Sequence, residues 1–401
     1  MALILGVISL VAALALLVPV TVLFIECMAA SLGGQPPVWE EMLPRPSVAV
    51  LVPAHNEALG IGPTLTTLVA QMTPLDRLIV IADNCEDETA TIAQRYGATV
   101  IERQDATRRG KGYALDFGLK ALYPFPPDVV VIIDADCLVA PGAIETIARQ
   151  AITYQRPVQA TYLMARPERL SSKTAVSLLA FTIKNLVRPL GLNRLGLPCL
   201  LTGTGMAFPW GMMEKISLAT GNIVEDMKLA LDLALVGYPP MFCAAARVTG
   251  ALPQQDRAAR SQRTRWEHGH LQMLLTQGPR LLHASLHKRR FDLLAMALDL
   301  CIPPLSLLVM LWLVATVVAV LAGIFGGSLI PVSILALEGL FILVAILVSW
   351  ANHASAEIPF GALLAVPFYV MWKIPLYLAF LVKPQTRWVR TERDRADTSN
   401  L

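Results

Sequence analysis

Residues 3–25 read LILGVISLVAALALLVPVTVLFI, a run without a charged side chain. A helix of that length, rising about 1.5 Å per residue, crosses a hydrocarbon core of roughly 30 Å. A second apolar region, 291–382, carries only Asp292, Asp299, Glu338, Glu357 and Lys373. Charged residues are 16% of the chain, against roughly 25% in an ordinary soluble domain. The deficit is confined to these two regions, and residues 27–290 have the composition of a soluble domain large enough for a full core. The net charge is +3 and 55% of residues are apolar. That excludes a disordered chain, a coiled coil and a dedicated nucleic-acid binder.

The expected organisation has four parts. Residues 1–27 form an uncleaved membrane anchor, since no basic stretch precedes the apolar run. Residues 46–290 form a cytoplasmic soluble domain. Residues 291–382 return to the membrane. There 291–302 reads as an amphipathic helix on the surface, 303–325 and 330–350 as spans separated by Phe325-Gly326-Gly327-Ser328, and 360–382 as a third apolar run. Residues 383–401 form a basic cytoplasmic tail. Lys288, Arg289 and Arg290 precede this region, and Lys383, Arg387, Arg390, Arg393 and Arg395 follow it. The positive-inside rule places both clusters in the cytoplasm, which requires an even number of crossings between them. The run holding Lys373, Pro367 and Pro375 is therefore the first choice for a segment that does not cross. A third span with an external tail is the alternative. The six cysteines make no CxxC pair and read as reduced and structural.

Within the soluble part, short β-branched runs alternate with helical patterns. Ser47–Val52, Leu78–Ala82, Ala98–Ile101 and Val129–Ile133 read as strands. Helices are expected over 62–72, 89–96 and 111–122, with another starting at Pro141. This alternation predicts an α/β fold with a mostly parallel sheet. Ligands bind such sheets beyond the carboxyl ends of the strands. His55-Asn56-Glu57, Asp83 and Asp134/Asp136 all fall there. Asp and Asn also serve as turn and cap residues, but three polar strand ends together point to a site. No glycine-rich dinucleotide fingerprint or P-loop is present.

Asp134 and Asp136 flank one small residue after a buried strand. Two carboxylates so close repel unless a cation lies between them. Mg²⁺ or Mn²⁺ commonly binds one or two carboxylates together with substrate phosphates. Arg108-Arg109-Gly110-Lys111-Gly112 offers cations in a glycine-flanked turn, suited to phosphate or to solvent. Asn222-Ile223-Val224-Glu225-Asp226 puts adjacent carboxylates before a helical run, as caps or as a general base for an attacking hydroxyl. In Gln262-Arg263-Thr264-Arg265-Trp266 an arginine can neutralise a leaving phosphate and the indole offers a flat face to a sugar. Arg257, Arg260 and Arg263 recur at three-residue spacing, which also fits a basic amphipathic helix.

The segments VPAHNE (52–57), ADNCEDET (82–89), RGKGYAL (109–115), DAD (134–136), TGTGMAF (202–208), VED (224–226) and QRTRW (262–266) occur in that order. The set resembles the membrane-bound family-two glycosyltransferases, the group of the cellulose, hyaluronan and chitin synthases, over residues 46–290. The resemblance implies a GT-A glycosyltransferase domain flanked by transmembrane helices, and an inverting transfer from a nucleotide-sugar, commonly a UDP-sugar. It implies nucleoside contacts from Pro53, Asn56, Glu57 and Asp83, with Lys111 holding the nucleotide. Asp134 and Asp136 would hold a divalent metal, Mg or Mn, and the diphosphate. Gly203, Thr204 and Gly205 would line the acceptor side. Asp226, paired with Glu225, would be the base, and Gln262, Arg265 and Trp266 would close over diphosphate and acceptor sugar. Where the family usually has Thr-Glu-Asp, this chain has Val224-Glu225-Asp226, which puts the detail of acceptor contact in question.

The expected function is hexosyl transfer to a lipid-linked or glycan acceptor at the cytoplasmic face of a bacterial inner membrane, in exopolysaccharide or envelope glycan synthesis. Expected partners are the donor, the acceptor, membrane lipids and export or assembly proteins, with no nucleic acid. A small processive polysaccharide synthase is the alternative, because QxxRW is often associated with polymerisation. A transporter or receptor with an inactive nucleotide-binding domain is a further one, disfavoured because Asp134, Asp136, Asp226 and Arg265 are all retained.

Overall fold

The computed structural model describes residues 2–33, 44–214, 216, 218–219, 224–251 and 256–382, with the side chains of 2–3 and 256–260 set aside. The basic tail and Asn222-Ile223 lie outside the described residues. The chain divides into two compact units. One comprises the described residues of 44–165 and 198–269. The other comprises 2–33, 166–197 and 270–382.

The first unit is built on one eight-stranded sheet. Its strands are β1 (Val48–Ala54), β2 (Arg77–Asp83), β3 (Thr99–Arg103), β4 (Val129–Ile132), β5 (Cys137–Val139), β6 (Val158–Met164), β7 (Met206–Pro209) and β8 (Met241–Gly250). They lie in the order β3-β2-β1-β4-β7-β6-β8-β5. The first four pair in parallel, as the sequence predicted. β7 then runs antiparallel to both β4 and β6, β6 is parallel to β8, and β5 is antiparallel to β8. β1 and β4 are buried along nearly their whole length, which explains their unbroken apolar reading. β3 lies at the edge and alternates exposed with half-buried residues.

Helices Ile61–Val69, Thr89–Arg95 and Lys111–Lys120 connect the parallel strands. The next helix is Ala143–Tyr154, two residues later than expected. Gly142, at φ 75°, is its N-cap, so Pro141 belongs to the preceding turn. From β1 the chain moves outward to β2 and β3, then returns to place β4 on the other side of β1. The crevice between the ends of β1 and β4 is a topological switch point, where open α/β sheets bind ligands.

The second unit holds the apolar helices. Among the described residues, five stretches have the length and composition to cross a membrane: Ile4–Ser31, Ser172–Arg194, Leu305–Ile324, Ile330–His353 and Phe360–Val382. The stretch Ser172–Arg194 falls inside residues 46–290 and was not anticipated as apolar enough. It runs as a helix to Thr182, a wider π turn over Ile183–Val187, and a helix from Arg188 to Arg194. The first helix, Ala2–Ser31, continues past Glu26. The Glu26 side chain is buried. Its Oε2 accepts from Arg188 Nε at 2.8 Å, and Arg188 also donates to the carboxylate and, at 2.8 Å, to the carbonyl of Asp299. All six cysteines are free thiols.

Helix Lys111–Lys120 packs against the sheet through Gly118. A β-carbon there would stand 2.9 Å from Ile81 Cδ1 and 3.5 Å from Leu51 Cδ2. Gly118→Val should destabilise the unit by about 1–3 kcal/mol through overpacking, read as a lowered unfolding midpoint with the secondary-structure content unchanged.

Candidate active site

The carboxyl ends of β1 and β2 are laced together. Asn56 (φ 54°) and Asn84 (φ 52°) both take the left-handed conformation that Asn tolerates, turning each chain sharply after its strand. Asn56 Oδ1 accepts from the Glu86 amide at 2.7 Å, and the Glu57 amide donates to Thr89 Oγ1 at 2.8 Å. His55 Nδ1 donates to the Asp83 carbonyl at 2.6 Å.

Asp83 is buried, and Arg103, the last residue of β3, donates to its Oδ1 at 2.5 Å. Arg103 also reaches Asp105 Oδ2 at 3.1 Å and the Arg108 carbonyl at 2.6 Å, pinning the loop that precedes Lys111. Asp105 accepts from the amides of Arg108 and Thr107, which pull its carboxyl down to about 2. Sequence reasoning missed Arg103. It ends a strand of the parallel sheet just as His55 and Asp83 do, and that position was the available signal.

At the end of β4, Asp134 is held from two sides. Its amide donates to Thr204 Oγ1 at 3.1 Å, and its Oδ1 accepts from Lys111 Nζ. The same ammonium donates to the Gly203 carbonyl at 2.6 Å. Burial disfavours the charged ammonium, but Asp134, Glu225 and Asp226 outweigh it, and the Lys111 pKa is raised. Burial also raises that of Asp134, with the Asp136 charge adding to the effect and Lys111 opposing it. Oxygens of Asp134 and Asp136 and the Cys137 sulfur lie within 4.8 Å of one another. Burial pushes the Cys137 thiol well above its usual range, so it stays protonated and the available ligands are carboxylate oxygens. Two carboxylates and no thiolate fit a hard divalent cation.

These groups line one cleft of about 580 Å³. Pro53, Asn56, Glu57, Asp83, Lys111, Asp134, Asp136, Gln262, Arg265 and Trp266 all border it. The sequence had not singled out Tyr162, Gln104 or Asp105, which border it too. Arg265 Nε is buried and has no hydrogen-bond partner among the described residues.

Glu225 and Asp226 open the helix Glu225–Leu235 and line a separate small cavity of about 20 Å³, together with Gly203 and again Lys111. Lys111 lines both spaces, and Gly203 (φ 93°) borders the small one, where a β-carbon on it would lie 3.2 Å from Asp226 Oδ2 and 3.6 Å from Lys111 Nζ. Only glycine combines that backbone with that approach. Thr204 is fully buried and does not reach the cleft, its hydroxyl being engaged by Asp134. Gly205 is tied into the sheet by bonds to Ile132 and Ala160. Burial and the neighbouring Asp226 charge push Glu225 up to about 7.

A parallel-sheet switch point ringed by carboxylates and cations suits a phosphate-bearing ligand and a divalent cation. Comparison with known proteins agrees. Residues 44–269 match the family model "Glycosyltransferase like family 2", and the chain belongs to that family. A protein described as a probable glycosyltransferase, YdaM of Bacillus subtilis, is 26% identical over 267 residues, 60% of this chain and 59% of that one. The 4,4'-diaponeurosporenoate glycosyltransferase of Staphylococcus aureus is 30% identical over 151 residues, 37% of this chain and 38% of that one. The chain thus spans well under two thirds of either relative. Among solved structures, the mannosyltransferase PcManGT of Pyrobaculum calidifontis, in complex with GDP-Man and Mn²⁺, superimposes with a TM-score of 0.59 at 17% identity. The match covers 95% of this chain and 100% of that one. The fold is GT-A-like, with a mostly parallel sheet.

Two consequences can be measured. Arg103→Met leaves the Asp83 carboxylate buried without its guanidinium. The loss should be about 3–5 kcal/mol of stability, as for other broken buried pairs, read by denaturant unfolding. The raised pKa of Glu225 means that the unfolded chain ionises first as pH rises. The stability that the neutral carboxyl contributes is full below its ordinary pKa of 4.5 and is lost as pH rises through about 7. Glu225→Gln should therefore flatten the fall in unfolding temperature between pH 5 and pH 8 relative to the unsubstituted protein.

Proposed function

We propose that this glycosyltransferase moves a hexose from a nucleotide-sugar, in the first instance a UDP-sugar, to a lipid-linked or glycan acceptor with inversion at the anomeric carbon. The observation that carries the reading is Lys111, which lines two adjoining spaces. The Asp134/Asp136 pair and Arg265 line the large cleft with it, and Glu225 and Asp226 line the small cavity with it.

In this reading the nucleoside lies along Pro53, Asn56, Glu57 and Asp83, whose carboxylate Arg103 orients. Asp134 and Asp136 hold a divalent cation, Mg²⁺ or Mn²⁺, which when bound neutralises charge on the diphosphate. Asp226 takes the proton of the acceptor hydroxyl. The oxygen forms its bond to the anomeric carbon as the bond from that carbon to the diphosphate oxygen breaks. The electron pair leaves with the nucleoside diphosphate, where Lys111 and the unpartnered Nε of Arg265 stabilise it. Gly203 faces the acceptor, with Thr204 and Gly205 behind it setting its position. Gln262 and Trp266 close over the sugar. Glu225, held close to neutrality, keeps a second full charge away from the base.

The likeness to the polysaccharide synthases, and a place in exopolysaccharide or envelope glycan synthesis at the cytoplasmic face of an inner membrane, belong to the same proposal. The membrane helices support the setting, and the relatives' substrates are not assigned to this chain.

The test is a membrane preparation assayed against a panel of UDP- and GDP-sugars with Mg²⁺ or Mn²⁺, with the product sized. Asp226→Asn should lower turnover about 10²–10⁴-fold, the range of a lost general base, with little change in donor KM. Near-normal turnover in that variant would remove Asp226 from the role. Chelation should abolish transfer, and added metal should restore it.

A further inference from the structure

We infer that only three of the five apolar stretches cross the membrane. Ser172–Arg194 and Phe360–Val382 lie in the plane of one interface, with the second presenting a bare apolar face to the lipid.

The sheet settles the first segment. β6 ends at Met164 and β7 begins at Met206, and the two pair in one sheet. Both therefore lie on one side of any bilayer, and a single crossing between them is impossible. The burial agrees. The spans Ile4–Ser31, Leu305–Ile324 and Ile330–His353 have many exposed large apolar side chains, whereas Ser172–Arg194 has none. Lys173, Lys184 and Arg194, half-buried or exposed along the stretch, suit a headgroup region.

Contacts at one end of the bundle settle the second. Leu305–Ile324 and Ile330–His353 are joined by a short turn and fastened by Trp312 Nε1 donating to the Leu335 carbonyl at 2.7 Å. Ser306 and Trp350 therefore stand at the same end of the pair. Asn352 Nδ2 donates to Ser31 Oγ at 3.0 Å, which brings the end of the first helix to that level. The rings of Phe360 and Trp350 are 5.3 Å apart, and the hydroxyls of Tyr377 and Ser306 are 2.5 Å apart. The segment is a 3-10 turn over Phe360–Ala365 followed by a helix over Val366–Val382. Run end to end along the membrane normal, the two would separate positions 360 and 377 by about 25 Å in depth. Here both meet partners at one level, so the segment does not run through the bilayer. Lys173 Nζ sits 3.8 Å over the Trp372 ring, and Arg194 donates to the Ala29 carbonyl at 3.3 Å, so both ends of Ser172–Arg194 share the level.

The flat helix is two-sided. Tyr369, Val370, Lys373 and Tyr377 are buried within the protein, while Leu364, Phe368, Met371, Ile374, Leu378 and Leu381 are exposed at three- and four-residue spacing. An apolar stripe beside spans whose own apolar faces are exposed is occupied by acyl chains at the headgroup boundary. With two crossings between the basic clusters, both fall on the same side of the membrane.

Two measurements on the full chain test this. The first fuses a green fluorescent protein or alkaline phosphatase after Leu401. A bright fluorescent fusion and an inactive phosphatase are expected, and an active phosphatase overturns the assignment. The second compares Met371→Lys with Val314→Lys, residues 65% and 58% exposed near the middle of their respective helices. A lysine at mid-bilayer is strongly disfavoured, whereas one at the interface reaches water. Val314→Lys should lower folded membrane protein roughly tenfold or more, and Met371→Lys should stay within about twofold of the unsubstituted protein. Equal losses for the two would mean that the helix crosses.

Discussion

The ammonium of Lys111 is the charge on which the site depends. It is bonded to Asp134 at the end of one strand and to the Gly203 carbonyl in the loop behind it, and it feels Glu225 and Asp226 beyond. Lys111 opens a helix, where a cation opposes the helix dipole. The placement is sustained by Asp134, Glu225 and Asp226, whose charges outweigh its burial. Without it, Asp134 and the acid pair that opens the helix would repel each other uncompensated. Arg103 does the comparable task at the end of β2, tying the Asp83 carboxylate to the loop that leads from β3 to Lys111.

The sheet supplies the frame for both. Its parallel half delivers three polar strand ends to one crevice, because β1 has neighbours on either side that the chain reaches in opposite directions. β7 reverses direction beside β4 and so starts from the site end of the sheet. Thr204 and Gly205, just before it, thereby come to hold Asp134 and β4. The same sheet constrains the membrane region, since a chain that leaves after β6 and returns as β7 must come back to the side it left. In the apolar unit, Arg188 is buried between Glu26 and Asp299 and donates to both carboxyl groups, while Glu26 Oε1 has no hydrogen-bond partner among the described residues.

Much of the parallel half was legible. Strand runs at 47–52, 78–82, 98–101 and 129–133 appear within a residue or two of expectation, because doubly covered strands must be apolar throughout. Pro53, Asn56, Glu57, Asp83, Asp134 and Asp136 come together because the ends of these strands face the switch-point crevice, whereas Lys111 reaches it from the start of a helix and Gln262, Arg265 and Trp266 from the helix Asp256–Lys288. Arg103 was hidden because it sits in an ordinary-looking edge strand, TVIER, and gains meaning only beside Asp83. Thr204 looked like an acceptor contact because small residues in a loop carry no orientation. Ser172–Arg194 escaped notice because its basic residues dilute its apolar ones.

By itself, the sequence determined the class of polymer this is: a charge-bearing α/β unit between apolar segments, with the acids, lysine and QxxRW arginine of the family-two glycosyltransferases. Composition and period suffice for that, since they depend only on which residues meet water, core or lipid. The tertiary structure decided the pairing of β7 and β6 and the lysine bridge from Asp134 to the Gly203 carbonyl. Those depend on distances between residues far apart in the chain, which composition and period do not carry.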